Sequence, residues 1–402
     1  MKKITILLLC LLTVAVAHAQ SYKLIVLDEI GTEESGAYDV NNYGFVVGYN
    51  VVGANTVPYI WSANRGYYAL STPAGSISQS GVAYAINDYL EIGGTFGYAG
   101  TSPIFKVANN GTAAVWTLNS DETDFLAYNL IADSATCRDI NNNGDIAGTL
   151  GYTSIVKNIF TGDGYFSAPL WTFGQSVNDN GDMTGMVNTT GSFYSATFAK
   201  KQTNGTYTFT HGVDTVSYGM KINNSDQIVG GSYYGGGFLW EPLNGKLIFF
   251  GSGTACYSIN NNNQIVGITN GHAAMWTLVG TNFVGTDLNR LTGDTNIVLE
   301  TAMSINEKGQ IVGRCLNLQT GVRKAYLLTP AKETPRKLEY HNGAVVLSWQ
   351  TTLGHNYIVQ SSLDLVNWSD YSDVLSAYST TFEGNVDSSY HHLFFKVIDV
   401  TP

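Results

Sequence analysis

The stretch C-Y-S-I-N-N-N-N-Q-I-V-G, Cys256 to Gly267, decides the fold. A β-branched residue, Ile259, precedes an asparagine, Asn260, and a glycine, Gly267, stands seven positions after it. The same pairing recurs at Asn41/Gly48, Asn87/Gly94, Asn141/Gly148, Asn178/Gly185, Asn223/Gly230 and Asn306/Gly313. Successive asparagines are 46, 54, 37, 45, 37 and 46 residues apart, close to the period of roughly 40 to 50 expected of four-stranded propeller blades.

Each position of the repeat has a physical reading. The residue before the asparagine is always Val or Ile, which is strand chemistry. Four before it stands a small residue, Ala37, Ala83, Cys137, Gly174, Gly219, Cys256 or Ala302, expected where inner strands crowd a central axis. Three after it come Gly44, Leu90, Gly144, Gly181, Asp226, Asn263 and Gly309. Six of these tolerate the left-handed backbone of a tight hairpin, so a different turn is expected at Leu90. A third strand ends in Trp61, Trp116, Trp171, Phe198, Trp240, Trp276 or Leu328, read as core plugs between sheets.

The seventh copy stops after its third strand, Lys324 to Thr329, whereas Tyr22 to Ile30 has strand alternation and no blade of its own. Pairing the two would close the ring and remove exposed edges. The expected fold is therefore all-β: a seven-bladed β-propeller of four-stranded blades, closed by an N-terminal strand. A small C-terminal β-sandwich is expected from alternation at Leu338 to Tyr340, Val345 to Trp349 and Asn356 to Gln360.

Residues 1–19 have the basic, apolar and small-x-small parts of a secretory signal. The expected organisation is a signal peptide over 1–19, a propeller over 20–330 and a β-sandwich module over 331–402, in a secreted protein. No later stretch approaches the roughly 20 apolar residues of a transmembrane helix. Removing Lys2 and Lys3 takes the formal charge from −11 to −13, a surface that repels phosphate backbones, so nucleic acid is not an expected partner. Cys137, Cys256 and Cys315 are expected as buried thiols, two of them at the small position of the repeat.

The pattern A-x-x-I-N-x-x-G-x-I-V-G followed by A-x-x-W resembles the HAF repeat of secreted bacterial proteins. It is clearest at Cys256 to Gly267 with His272 to Trp276, and at Ala302 to Gly313. The resemblance implies an extracellular propeller-like repeat protein and brings no established activity. The tail, with L-S-W at Leu347 to Trp349, N-Y-I-V-Q-S-S at Asn356 to Ser362 and L-F-F-K-V at Leu393 to Val397, resembles a short fibronectin type III-like module, which implies a spacer or adhesion unit.

Chemistry-bearing constellations are few. Neither His211 nor His272 has a second His or a Cys at ligand spacing, and no G-x-S-x-G elbow marks a nucleophile. No catalytic residue, metal or cofactor is assigned. The run D-I-N-N-N-G-D, Asp139 to Asp145, resembles a calcium loop, but Leu150 stands where the terminal Glu belongs. An Asx turn that bonds its own backbone accounts for it.

Between the glycine of the second strand and the aromatic of the third lie 21 and 22 residues in copies two and three, against 8 to 14 elsewhere. These insertions carry Phe96, Tyr98, Tyr152, Phe160, Tyr165 and Phe166, the candidate ligand-binding residues for a glycan or a protein segment on the face opposite the Asn-Gly turns. The reading is a secreted bacterial binding or structural protein. The alternative is a secreted glycoside hydrolase or lyase using two carboxylates at the channel mouth.

Overall fold

The computed structural model describes residues 22–27, 33–73, 80–97, 112–119, 124–131, 135–150, 153–161, 164–166, 172–188, 194–213, 216–331, 336–341, 344–350, 355–362, 368–376, 381–386 and 394–400. The segment read as a signal lies outside them, as do Tyr98, Tyr152 and Trp171.

Seven antiparallel four-stranded sheets form the seven blades of a β-propeller. Their inner strands are Ser35–Val40, Gly81–Ile86, Ala135–Ile140, Thr172–Val177, Ser217–Ile222, Thr254–Ile259 and Ile297–Ile305. Blades 1 to 6 take their four strands in chain order. The seventh takes three, and its outer strand is Tyr22–Val26, lying beside Arg323–Pro330. Leu27 continues the pairing by donating its N–H to the Ala325 carbonyl at 2.9 Å. The ring is closed by the strand expected from the sequence.

The cores lie between blades. Val47, Ile60 and Leu70 of blade 1 pack with Ala83, Ile92, Phe96 and Trp116 of blade 2, and Ala196 and Phe198 of blade 4 with Ile222, Phe238 and Trp240 of blade 5. Leu27, Val312, Ala325 and Leu327 join Ala37, Val46 and Trp61 across the closure. The plugs are buried as expected at Trp61, Trp116, Phe198, Trp240, Trp276 and Leu328.

Blade 3 departs from the expected register. Its third strand is Thr153–Asn158, which pairs directly with Asp145–Leu150, so no 22-residue loop exists there. The residue opposite Ile146, where Trp61 and Trp116 stand in blades 1 and 2, is Lys157. Blade 4 is offset by one, with Ala199 opposite Met183.

Every inner strand carries a bulge at one place. Pairing skips the residue three before the asparagine, between Ala37 and Asp39 in blade 1 and between Cys137 and Asp139 in blade 3, with the same skip in the other five. A bulge re-aims side chains, and here it fixes two sequence features. The carbonyl five before the asparagine is pushed toward the partner strand, where a Cβ on Gly48, Gly94, Gly148, Gly185, Gly230, Gly267 or Gly313 would collide with it. The small residues also turn away from the axis. A Cβ on Gly174 would press on Gly148 O of the preceding blade, and the Cys137 sulfur occupies the place of a Cβ on Gly93. They are buried between blades, a correction to the expected axial position.

Leu90 is a second correction. Its φ of +63° and its N–H bond to Asn87 O at 3.2 Å match the turns that have glycine. Leu90 packs on the core between blades 1 and 2, which offsets part of the strain.

The C-terminal residues form two further sheets. One contains Arg336–His341, Ala344–Gln350 and Thr381–Val386; the other centres on Asn356–Ser362, paired with Phe394–Asp399. Leu347 and Trp349 of the first share a core with Tyr357, Val359 and Val397 of the second. No helix among the described residues is long and apolar enough to cross a membrane.

Candidate functional site

The recurrent asparagine makes two kinds of bond. In blade 1 its Oδ1 accepts the N–H groups of Tyr43 and Phe45, each at 3.0 Å, which closes the turn. Its Nδ2 donates to the Asn87 carbonyl of the next blade at 3.0 Å. The donation repeats from Asn87 to Asn141, Asn141 to Asn178, Asn178 to Asn223, Asn223 to Asn260 and Asn260 to Asn306. Asn306 returns it to Asn41 at 2.8 Å. Asx turns are therefore present, and the same side chains form a closed circle around the axis.

A second circle lies beside the first. The Asn42 N–H donates to Asp88 Oδ1 at 2.8 Å, Asp88 to Asn142, Asn142 to Asp179, Asp179 to Asn224, Asn224 to Asn261 and Asn261 to Glu307. Glu307 closes it on Asn42 Oδ1 at 3.0 Å. These side chains line a channel mouth of about 170 Å³.

Deeper in, the bulge turns one or two residues of each blade toward the axis. Tyr38, Tyr84, Arg138, Gln175, Met220, Tyr257 and Met303 are the bulged residues. Next to them stand Asp39, Asp139, Ser176, Lys221, Ser258 and Ser304. The cavity they leave is about 80 Å³. That holds a few waters, well short of the roughly 300 Å³ at which small-ligand pockets begin.

Both carboxylates of this waist are engaged. Asp139 accepts from Lys221 Nζ at 2.8 and 2.9 Å, Ser176 Oγ at 2.5 Å, and the N–H groups of Ile140 and Val177. Asp39 accepts from Ser304 Oγ at 2.6 Å and the N–H groups of Val40 and Ile86, so it ties blades 7, 1 and 2 together. Burial raises the Asp39 carboxyl above its ordinary value, partly opposed by Lys221 and Ser304. Burial also opposes the charge on Lys221, but Asp139 and Asp39 outweigh it and raise the ammonium. At the far end of the waist the Arg138 guanidinium lies 4.5 Å over the Tyr84 ring. An acid/base pair for glycoside cleavage needs a sugar between its carboxylates; the two waist carboxylates are bonded instead to a lysine and serines, while the mouth carries three more in Asp88, Asp179 and Glu307.

Of the residues singled out from sequence, the two whose side chains are described, Phe96 and Phe160, are not brought together. Phe96 is 1% exposed and packs against Trp116 at 5.6 Å, so it is a core residue. Tyr98 and Tyr152 lie outside the described residues. Tyr165 and Phe166 belong to the outer strand Gly164–Phe166 rather than to a loop. Phe160 is 68% exposed and sits on the turn face: a Cβ on Gly144 would lie 2.5 Å from its ring. The run from Asp139 to Asp145 does not converge as a calcium loop, because Asp139 binds Lys221 and Asp145 binds Asn158 at 2.8 Å. Among the described residues no group of three His, Cys, Asp or Glu has metal-ligand geometry. Cys137, Cys256 and Cys315 are buried and form no disulfide among the described residues, and burial pushes the Cys137 and Cys256 thiols up.

What the sequence reading missed stands two residues after the asparagine. That crown position holds Tyr43, Tyr89, Asn143, Asn180, Ser225, Asn262 and Lys308. Tyr43 and Tyr89 are 69% and 70% exposed. Phe160 lies on a different turn of blade 3, between the third strand Thr153–Asn158 and the fourth strand Gly164–Phe166, but on the same face, so each of blades 1, 2 and 3 carries an exposed aromatic there. The Lys308 ammonium lies 5.8 Å from the Tyr43 ring centre, so crown side chains of adjacent blades reach each other. Aligning the seven copies and asking where aromatics replace polar turn residues would have found two of the three.

No family model matches the chain, and neither does any curated protein. Among solved structures it is similar to the crystal structure of RRP9 WD40 repeats, with a TM-score of 0.51 and 10% identity over 77% of this chain and 99% of that one. It also matches a chain of the Mitotic Checkpoint Complex, TM-score 0.47 and 11% identity over 77% and 91% of the two chains. TolB from Acinetobacter baumannii matches with a TM-score of 0.34 and 11% identity over 71% and 79%. The first of these likenesses supports the propeller fold.

Proposed function

We propose that the protein is a secreted recognition scaffold that binds a carbohydrate on the turn face of blades 1 to 3. The observation that carries the reading is the row of Tyr43, Tyr89 and Phe160, each exposed, beside a circle of carboxamides and carboxylates. Flat rings that stack on sugar faces and polar groups that bond hydroxyls are the two things a glycan site needs. The reading moves the binding surface from the loops of blades 2 and 3 to the opposite face. It keeps the scaffold role, which is supported by the engagement of the carboxylates at both levels: those of the waist are held by neighbouring blades, and Asp88, Asp179 and Glu307 of the mouth each accept a backbone N–H and an asparagine amide from an adjacent turn.

The signal-like segment at 1–19 and the resemblance to HAF-type repeats support an extracellular location. The resemblance of the tail to a fibronectin type III-like module supports a spacer that presents the propeller. A glycan array probed with the wild type and with a Tyr43→Ala/Tyr89→Ala double variant tests the binding reading. Retention lost in the double variant supports it; retention of a protein ligand only, or equal glycan retention by both, overturns it. Expression with the native N-terminus, followed by N-terminal sequencing of the exported chain, should give a start near Gln20.

A further inference from the structure

Resting on the carbohydrate reading, we infer that the ligand is an uncharged linear polysaccharide lying across the turns of blades 1, 2 and 3, bound along its length rather than by a chain end. Three observations lead there. The aromatics occur on consecutive blades, and crown side chains of neighbouring blades approach within 5.8 Å in the Lys308–Tyr43 pair. Rings on three adjoining blades suit several sugars in sequence better than one.

The channel mouth is about 170 Å³ and narrows to about 80 Å³ at the waist. A terminal sugar cannot be enclosed in the smaller space, so the chain stays on the surface.

Charge selects the polymer. The inner circle contributes Asp88, Asp179 and Glu307 and no base. At the crown positions Lys308, at the blade 7 end, is the one cation. Along blades 1 to 3 the circle holds Asn42, Asp88 and Asn142, so uronates and sulfated sugars would meet the like charge of Asp88 at the middle of the site, at a cost. Neutral hydroxyls instead find acceptors in Asp88 and in the Asn42 and Asn142 carboxamides next to the rings. The oxygens already accept backbone N–H groups, but a carboxylate has further lone pairs to offer.

The test is isothermal titration of the full chain with cello-, manno- and xylo-oligosaccharides of increasing length, and with oligogalacturonates of matched length. The inference expects at least one neutral series to bind, with affinity rising with length until the three rings are covered. Tyr43→Ala, Tyr89→Ala and Phe160→Ala should each weaken binding about tenfold or more, with the melting temperature unchanged because all three side chains are exposed. Binding confined to the galacturonates and lost in these variants would overturn the neutral-polymer inference and leave the carbohydrate site standing. Affinity independent of length would overturn binding along the chain. Failure of every series to bind would overturn both readings.

Discussion

Replacing Asn306 should weaken the propeller by an amount that can be divided between turn and ring. The side chain is 6% exposed and makes four bonds. Oδ1 accepts from Lys308 N at 3.0 Å and Gln310 N at 2.9 Å; Nδ2 donates to Asn41 O and Gln310 Oε1, both at 2.8 Å. At a net worth of about 1 kcal/mol per bond, Asn306→Ala should cost roughly 4 kcal/mol. Asn306→Asp keeps both acceptor bonds, loses both donor bonds and sets a carboxylate against the Asn41 carbonyl, so it should cost roughly 2 kcal/mol or slightly more. Urea unfolding followed by tryptophan fluorescence measures both, the slope staying constant while the midpoint falls. If Asn306→Asp unfolds at the wild-type midpoint, the donations that run around the axis do not hold blades together. If it costs as much as Asn306→Ala, the acceptor bonds of the turn contribute nothing.

Other perturbations probe other parts of the same scaffold. Gly313→Ala puts a methyl against the Thr301 carbonyl and should cost about 3 kcal/mol or more, read from the same urea midpoints; a loss under about 1 kcal/mol would mean the bulge relaxes freely. Leu90→Gly should change stability by less than about 1 kcal/mol, because relief of a left-handed leucine opposes the lost packing; a loss of several kcal/mol would show that the φ of +63° carries no strain. Lys221 has a raised pKa in the fold, so its contribution is fully present below the unfolded lysine value of about 10.4 and is lost as pH rises through the folded value. Melting temperatures above that pH should therefore fall less steeply in Lys221→Met than in the wild type, and parallel curves would refute the coupling. Removing the strand Tyr22–Val26 exposes the edge of Arg323–Pro330 and should yield aggregated protein on size exclusion; a soluble monomer with the wild-type melting temperature would show that the strand is dispensable.

The blade count and the closing strand were legible because they depend on backbone rules that leave a mark in every copy. Val40, Asn41, Gly44 and Gly48 form such a mark. The facing of the inner strand was not legible, because strict alternation fails at a bulge. A residue inserted at Tyr38 turns Asp39 toward the axis and Ala37 toward a neighbouring blade, and nothing in the local composition announces the insertion. Blade 3 misled for a different reason. A plug position occupied by Lys157 has no aromatic to find, so the pattern runs on to the next tryptophan, Trp171, and the sequence of a strand pair has the look of a loop. The circle of asparagine donations needs the ring itself, since each bond joins residues 37 to 54 apart, or 265 apart at the closure.

The repeat also says where function has room to act. The asparagine is fixed by turn closure and blade coupling, the third residue after it by a left-handed backbone, the fifth by core packing, and the seventh by the carbonyl opposite. The first two residues after the asparagine are the most exposed of the turn and leave the most room for change. The first still has to accept a neighbour's N–H, which restricts it to Asn, Asp or Glu in all seven copies. The second accepts no such N–H, although Asn143, Asn180 and Asn262 donate from it to the next blade's carbonyl in blades 3, 4 and 6, and it is the position whose character changes around the ring, from tyrosine in blades 1 and 2 to asparagine or serine in blades 3 to 6 and lysine in blade 7. In a scaffold with near-sevenfold sameness, a surface that recognises something has to break the symmetry. The crown breaks it by gathering its aromatics on one side.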